Sequence, residues 1–327
     1  MSLRESPALR PVLLAASYLY LAATELRNAL YDRGVLKSYE SSLPVVCVGN
    51  LTVGGNGKTP LVGWIVERAL AKGRKPVILS RGYGGGNSGP HLVDAKLDRF
   101  QDVGDEPLML ARRAVCPVVI ARDRVAGAKF IEQRGLGDLI VLDDGMQHRA
   151  LARRINLVCV AAGNVSQVED LLSGELLPAG LLRERLETGL KRASALIWQS
   201  RSPLPALPLP DHPRLAKIPC FRTSALAELT PLVSECVVVT GVANPSAVAA
   251  SLGGVRILEH VALRDHSAAL PEALSEVRRR FPGTAVVVTE KDAIKLDSDL
   301  EGVSILRQRL QVEDAEGLWA MVSGAIG

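Results

Sequence analysis

Short apolar runs alternate with helical patterns between Pro44 and Ser200. The runs are VVCVGN, KPVILS, PVVIA, DLIVLDD, INLVCV and SALIWQS. Continuous apolar runs of this kind are typical of parallel strands that are buried on both faces. Segments with apolar residues at helical spacing, such as 59–72 and 125–134, would form the connections between them. The pattern therefore predicts an α/β fold, with a mostly parallel sheet and helices on both faces.

A proline-rich stretch, SRSPLPALPLPDHP from Ser200 to Pro213, interrupts this alternation. Its five prolines exclude a helix or a central strand, so we expect an extended connector. Beyond it, ECVVVTGVANPSAVAASLG and TAVVVTEKDAIKL each have the pattern of a strand followed by a helix. They predict a second, smaller α/β domain over residues 216–302, after a first domain over residues 41–215.

The last segment, residues 303–327, is predicted to contain a return strand and a C-terminal helix. SILRQRLQV alternates weakly between apolar and polar residues, and it could pair with IPCFRTSAL. Such a pair would form a two-stranded hinge near 216–228 and 303–312.

The most apolar stretch is PVLLAASYLYLAA, Pro11 to Ala23. As a helix it would be ~20 Å long, short of the ~30 Å hydrocarbon core of a bilayer, so we do not expect it to span a membrane. Four of the five tyrosines lie in the first forty residues, together with several arginines. These side chains are favoured at a membrane–water interface. Two interpretations of residues 1–40 stay open: an amphipathic helix in the membrane interface, or a helix packed on the protein's own surface.

The composition is that of a globular protein, with 47% hydrophobic and 23% charged residues. The net charge of +4 is too small and too scattered to indicate a nucleic-acid partner, although it suits an anionic substrate or a membrane surface. No sequence feature indicates an obligate protein partner. The five cysteines form no CxxC pair, which favours buried thiols over disulfides or zinc.

The loop TVGGNGKT lies between the first predicted strand and helix, where a phosphate-binding P-loop belongs. Thr52 stands where the GxxxxGK[ST] pattern has its first glycine, and nearby glycines restore the flexibility. Lys58 would bridge the β- and γ-phosphates, and the Thr59 hydroxyl would hold Mg²⁺. The alternative is a glycine turn with an incidental lysine. The residues expected around the phosphates are Thr52, Val53, Gly54, Gly55, Asn56, Gly57, Lys58 and Thr59.

A carboxylate pair, Asp143 and Asp144, follows the apolar run LIVL, as the end of a Walker B strand would. Gln147 and His148 come next and would reach the same edge of the sheet. A simple Asp-Asp-Gly turn is the alternative. Asp105 and Glu106 in DVGDEP precede a helical pattern, where they could cap the helix or supply a general base. SRGYGGG, residues 80–86, would be a long turn or a substrate-contacting loop.

Seven motifs occur in this order between Gly49 and Leu296: GNLTVGGNGKTP, SRGYGG, GDEP, LDDGMQHR, LLPAGLLRE, GVANP and TEKDAIKL. On these motifs the chain resembles the tetraacyldisaccharide 4′-kinases. The resemblance implies a P-loop NTPase-like fold and an ATP- and Mg²⁺-dependent kinase. Its acceptor would be the 4′-hydroxyl of a tetraacylated disaccharide 1-phosphate, a lipid A precursor. It also implies a monotopic enzyme on the cytoplasmic face of the inner membrane, which favours the interface interpretation of the N-terminal helix.

The resemblance further implies roles for single residues. Asp105 would be the catalytic base, assisted by His266 from Asp265-His266 in LRDHSAAL; Ser267 stands where the family pattern often has a second histidine. Lys58 would also act in catalysis. The nucleotide would further contact Arg124, Arg183 and His148. The expected metal ligands are Thr59, Glu106, Asp143, Asp144 and Gln147.

Two other functions are compatible with a P-loop. A membrane-associated ATPase of the deviant Walker A class relies on a lysine where this chain has Val53. A nucleotide switch that recruits partners has no need of the GDEP motif or of Asp265-His266.

Overall fold

A computed structural model describes residues 6, 8–55, 57–113, 116–200, 206–213, 215–242, 245–264, 267, 269–296 and 300–327. The strands in these ranges are β1 (Val45–Asn50), β2 (Pro76–Ser80), β3 (His91–Leu92), β4 (Val118–Ile120), β5 (Leu139–Asp143), β6 (Ile155–Ala161), β7 (Ala195–Gln199), β8 (Cys220–Thr230), β9 (Glu235–Thr240), β10 (Arg256–Ala262), β11 (Ala285–Thr289) and β12 (Val303–Val312). The α-helices are α1 (Arg10–Asp32), α2 (Lys58–Ala71), α3 (Phe100–Val103), α4 (Asp105–Arg113), α5 (Arg124–Arg134), α6 (Val165–Leu172), α7 (Leu186–Leu190), α8 (Pro245–Ser251), α9 (Leu270–Arg280), α10 (Glu290–Ala293) and α11 (Ala315–Ile326).

The strands form one sheet in the order β10-β9-β11-β12-β8-β7-β6-β1-β5-β2-β4-β3. Neighbours run parallel except for β3 with β4 and β8 with β12. The predicted mostly parallel sheet is confirmed. All six apolar runs named above contain a strand, and the proline-rich connector has neither helix nor strand in its described part, 206–213.

The central strands are continuously apolar because both faces of the sheet are covered. In β1, Val46 and Val48 pack in one core with residues of α2, α4 and α11. Val45 and Cys47, which point the other way, pack with residues of α5. All four are buried. Because parallel strands place their carboxyl ends at one edge, the loops that follow β1, β2, β5 and β7 meet there.

The strands before and after the proline-rich connector belong to the same sheet. The antiparallel ribbon of β8 and β12 joins them, because β8 pairs with β7 on one side and β12 pairs with β11 on the other. Its register runs from Ile305 opposite Thr230 to Val312 opposite Thr223. The predicted pairing of these two segments is therefore present. Beyond the ribbon, β9, β10 and β11 pack with α8 and α9 in cores of their own. Helix α11 packs in the same core as α2. Whether the ribbon bends as a hinge stays a prediction.

Helix α1 is longer than the apolar run that indicated it. Its 23 residues correspond to ~34 Å, so the ~20 Å expected for residues 11–23 covers only part of the helix. The helix continues through the polar segment 24–32, whose side chains bind the rest of the protein. In the described part of the chain, no helix combines the length and apolarity needed to cross a membrane. The five cysteines are free. Cys47, Cys159 and Cys236 are buried as predicted, whereas Cys116 and Cys220 are partly buried.

The two faces of α1 have different surroundings. On the inner face, Ser17 and Asn28 are buried, and the Tyr20 hydroxyl donates to the Arg183 carbonyl at 2.7 Å. On the outer face, Tyr18 and Leu19 are 72% and 76% exposed. The helix is thus fixed to the protein while apolar side chains project away from it.

Candidate active site

The predicted phosphate loop, which includes residues 52–55 and 57, connects β1 to α2 and takes its shape from glycine. Gly54 and Gly57 have φ of 105° and 68°, in the left-handed region that glycine adopts at little cost. A Cβ at Gly57 would overlap the side chain of Gln199, at the end of β7. Gly57 is also the N-cap of α2, so the positive end of the helix dipole lies at the loop. Asn56 lies outside the described residues.

A neighbouring segment braces the loop. The amide of Val53 donates to the Leu181 carbonyl at 2.8 Å, and the amide of Arg183 donates to the Leu51 carbonyl at 2.8 Å. Thr52 pairs with Leu182 between them, as an antiparallel bridge. The segment LLPAGLLRE therefore holds the first half of the loop through backbone contacts.

Two cationic side chains, Lys58 and Arg183, pair with the carboxylate of Asp144 next to the loop. Lys58 begins α2, with Thr59 next to it, and its ammonium lies 3.6 Å from Asp144 Oδ1. Arg183 Nη1 donates to both oxygens of Asp144, at 2.9 and 3.1 Å. Burial opposes ionisation of Asp144, but Lys58 and Arg183 outweigh it, so the pKa of Asp144 is lowered. The structure thus brings together Lys58 and Arg183, which were predicted to contact the nucleotide, and Asp144, which was predicted as a metal ligand.

Asp143 ends β5 and is 2% exposed. The Ser80 hydroxyl donates to its Oδ2 at 3.3 Å, whereas its Oδ1 has no hydrogen-bond partner among the residues described. Burial, followed by the negative charges of Glu106 and Asp144, raises the pKa of Asp143 to about 7. A buried carboxylate oxygen without a partner, next to two further carboxylates, is a favourable place for a cation.

These residues fit Mg²⁺ bound together with a nucleotide. Within the described ranges, no three acidic, histidine or cysteine side chains form a preformed metal cage. Mg²⁺ commonly takes one or two protein carboxylates and completes its shell with phosphate oxygens and water. Asp143 supplies an unpaired oxygen, and Thr59, Glu106 and Asp144 lie around the same edge. Their roles as ligands stay predictions.

Gln147 is engaged by protein groups. Its Nε2 donates to the Asn50 carbonyl at 2.9 Å and to Glu184 Oε1 at 3.1 Å, while Arg183 Nη1 lies 3.5 Å from its Oε1. These contacts tie the loop after β5 to the end of β1. The predicted metal contact of Gln147 would have to share its oxygen with Arg183.

Arg124 brings a buried positive charge to the site. It is 4% exposed, its Nη1 donates to the Arg122 carbonyl at 3.0 Å, and its Nε has no hydrogen-bond partner in the part of the chain described. Burial, and next the charge of Arg81, lowers its pKa. Burial and then Arg124 lower the pKa of His148 to about 4, and its Nε2 is 4.0 Å from Asp123 Oδ1, beyond hydrogen-bond distance. A buried arginine with an unused donor suits an anionic ligand.

Asp105 and Glu106 form the first turn of α4. Asp105 is 5% exposed, and the Lys295 ammonium lies 3.5 Å from its Oδ2. Lys295 follows α10, in the segment predicted as the smaller domain, residues 216–302, which is called the second lobe below. The predicted base therefore contacts that lobe. Asp265-His266, the predicted partner of Asp105, lies outside the described residues.

Sequence reasoning missed four buried polar residues near the site. Lys295 and its second partner Asp292 lie in TEKDAIKL, where a charged pair at i, i+3 before an apolar residue was the available signal. Glu184, 2% exposed, accepts from Arg192 Nη2 at 2.5 Å and from Gln147. Gln199 lies against Gly57. Nothing local distinguishes the last two from ordinary surface residues.

Comparison with known proteins agrees with this geometry. A family profile described as tetraacyldisaccharide-1-P 4′-kinase matches residues 9–326. The tetraacyldisaccharide 4′-kinase of Aeromonas hydrophila is 39% identical over 300 residues, covering 88% of this chain and 84% of the relative. That of Chlorobaculum tepidum is 36% identical over 321 residues, covering 91% and 89%. A crystal structure of LpxK from Aquifex aeolicus in complex with ATP matches with a TM-score of 0.76 and 28% identity over 100% of both chains. The chain therefore belongs to the tetraacyldisaccharide 4′-kinase family.

Proposed function

We propose that this protein is an ATP-dependent kinase that phosphorylates the 4′-hydroxyl of a tetraacyldisaccharide 1-phosphate, a lipid A precursor. The observation that carries the proposal is the meeting of the phosphate loop with the carboxylates that end β5. There Lys58 lies 3.6 Å from Asp144, and the neighbouring Asp143 keeps an unpaired buried oxygen. This site occurs in a chain matched by the family over almost its whole length.

The triphosphate would lie in the loop 52–59, with its charge met by cations already at the site. Lys58 and Arg183 now share Asp144 and would turn toward the phosphates, while Arg124 offers its unused Nε. Mg²⁺, when bound, neutralises charge on the transferred phosphoryl group. Asp143 and Thr59 would hold it, with Asp144 and Glu106 completing the protein side.

The reaction needs a base because a sugar hydroxyl is a poor nucleophile while it keeps its proton. Asp105 accepts this proton as the 4′-oxygen bonds to the γ-phosphorus and the bond from phosphorus to the β–γ bridging oxygen breaks, which releases ADP. His266 would orient Asp105, as the family resemblance implies. The second lobe, residues 216–302, would supply His266. It would move on the β8–β12 ribbon to complete the site of the first lobe, residues 41–215.

The test is transfer of labelled γ-phosphate to the tetraacyldisaccharide acceptor. We expect label in the lipid, in a reaction that requires Mg²⁺ and the acceptor. ATP hydrolysis at the same rate without acceptor would instead support the ATPase, and nucleotide binding without turnover would support the switch.

Helix α1 would place the enzyme on the cytoplasmic face of the inner membrane, with its exposed apolar face in the interface. Leu19 and Leu26 are 76% and 61% exposed on this helix, and Arg33 and Lys37 follow at the exposed end.

We therefore expect Leu19→Glu/Leu26→Glu to lower the partition of the protein onto phospholipid vesicles tenfold or more, since each leucine would lose roughly 1.5–3 kcal/mol of burial. Co-sedimentation with vesicles containing anionic lipid measures the effect. Leu232→Glu is the matched control, an exposed leucine in the second lobe. Equal loss in both variants, or loss in neither, would contradict the assignment.

A further inference from the structure

Lys295 is a buried lysine held between carboxylates of the two lobes. Its side chain is 0% exposed. Its ammonium lies 3.5 Å from Oδ2 of Asp105, in the first turn of α4, and 3.4 Å from Oδ1 of Asp292, in α10. Removing an ammonium from water is costly unless charged partners replace the water. The two carboxylates provide that compensation, one from each side of the contact between α4 and the segment after α10, which is called the seam below.

Asp292 is fixed within its own lobe. Its Oδ2 accepts from the Thr289 hydroxyl at 2.7 Å and from the Gly241 amide at 3.1 Å. Gly241 has close neighbours on the side where a Cβ would project, with Asp292 Oδ1 3.2 Å and Lys295 Nζ 3.7 Å from that point. Asp292 is therefore an anchor that sets the direction of the Lys295 side chain toward Asp105.

A second contact across the same seam holds the backbone of Lys295. Arg112 Nη1, near the end of α4, donates to the carbonyl of Ile294 at 3.2 Å. The Ile294 side chain is buried in the core shared by α2 and α4. The chain at Lys295 is thus attached to α4 without its ammonium, so the lobes do not depend on the Lys295–Asp105 contact for their association.

The geometry points to Lys295 as a positioning residue for the phosphate transfer. By binding Oδ2 of Asp105, the ammonium fixes the rotation of that carboxylate, and with it the direction in which Oδ1 faces the acceptor hydroxyl. This inference rests on the proposed function, in which Asp105 accepts the hydroxyl proton. It adds that the orientation of the base comes partly from the second lobe, through Asp292 and Lys295.

The test compares Lys295→Met with wild-type protein in the Asp105 and Asp105→Asn backgrounds. Methionine has a similar length and removes the charge. We expect kcat for lipid phosphorylation to fall tenfold to a hundredfold, since misdirecting a catalytic group by about 1 Å costs on the order of 10²-fold. The KM for ATP should stay within about twofold of wild type. In the Asp105→Asn background the same change should cost less than about threefold, because the two effects share one interaction.

Lys295→Arg provides a second measurement if the methionine variant is unstable. It keeps the charge but cannot place it at the same point. We expect kcat between those of wild-type protein and Lys295→Met, with no further loss in the Asp105→Asn background. Arg307→Met is the matched control, because Arg307 pairs at 3.5 Å with Glu290 in the same lobe but is half-exposed. It should have wild-type kcat.

Three outcomes would overturn the inference: an unchanged kcat for folded Lys295→Met, a loss of equal size in both Asp105 backgrounds, or a loss that appears in ATP binding. A wild-type protein that transfers no label removes the proposed function and this inference together. Label transfer with an unaffected Lys295→Met removes the inference alone.

Discussion

Asp105→Asn is expected to lower kcat for lipid phosphorylation by about 10²–10⁴-fold, the contribution of a positioned base. Asparagine keeps the shape of the side chain and an oxygen for the Lys295 ammonium, but it cannot accept the hydroxyl proton. Asp105 belongs to α4 and not to the phosphate loop, so ATP affinity should change little. Steady-state kinetics with saturating acceptor, together with an ATP-binding titration, would separate the two effects.

Asp102→Asn is the control for this substitution. Asp102 lies three residues earlier, in α3, and is exposed. It should have wild-type kcat. An Asp105→Asn variant with kcat within about threefold of wild type would contradict the assignment of Asp105 as the base. A loss explained entirely by weaker ATP binding would contradict it as well.

Asp143→Asn is expected to act in opposite directions on activity and stability. Activity should fall by about 10²–10³-fold, the scale found when one group that stabilises transition-state charge is removed. Stability should rise at pH 8 by about 2–4 kcal/mol, because the buried carboxylate has a pKa of about 7 in the folded protein and an ordinary one of 3.8. Asparagine avoids the cost of ionising this group next to Glu106 and Asp144.

The pH dependence fixes the sign of the effect. A raised pKa in the folded state means that the folded protein holds a proton which the unfolded chain releases. Wild-type stability from this group is therefore present below about pH 4 and lost as the pH rises through about 7. The advantage of Asp143→Asn should grow over the same window and vanish near pH 4. Urea unfolding at several pH values, without nucleotide or Mg²⁺, measures it.

Asp144→Asn is the matched comparison because its neighbour has the opposite shift. Despite burial, Lys58 and Arg183 lower the pKa of Asp144, so its ionised form stabilises the folded protein above pH 3.8, and this stability is lost as the pH falls through the lower folded value. Asp144→Asn should therefore reduce stability at neutral pH. If both variants shift stability in the same direction at pH 8, the electrostatic description of the site is wrong.

Local patterns predicted most of the fold, together with the candidate phosphate loop. Runs such as LIVL before Asp143 are apolar because the sheet is covered on both faces, so the sequence of each run predicts its burial. The phosphate loop is equally local, because Gly57, Lys58 and Thr59 are consecutive and owe their geometry to the adjoining strand and helix. The seven ordered motifs identified the family, which the match over residues 9–326 confirms.

The apolar pattern did not predict where helix α1 ends. Its apolar stretch ends at Ala23, but the helix continues to Asp32. Residues 24–32 are mostly polar in sequence, yet Asn28 is buried and its Nδ2 lies 3.3 Å from Glu184 Oε2. A polar residue can be buried when a distant partner satisfies it, and hydropathy does not encode that partner.

By itself, the sequence determined the elements, the burial of the strands and the place of the predicted phosphate loop between β1 and α2, because each depends on neighbours along the chain. The tertiary structure alone decided which charged side chains form ion pairs with one another. It placed Lys295 against Asp105 across a separation of 190 residues, and it paired Arg183 with Asp144. Such pairings follow from the order of strands in the sheet and from the low tolerance of the interior for unpaired charge, and no local pattern specifies either.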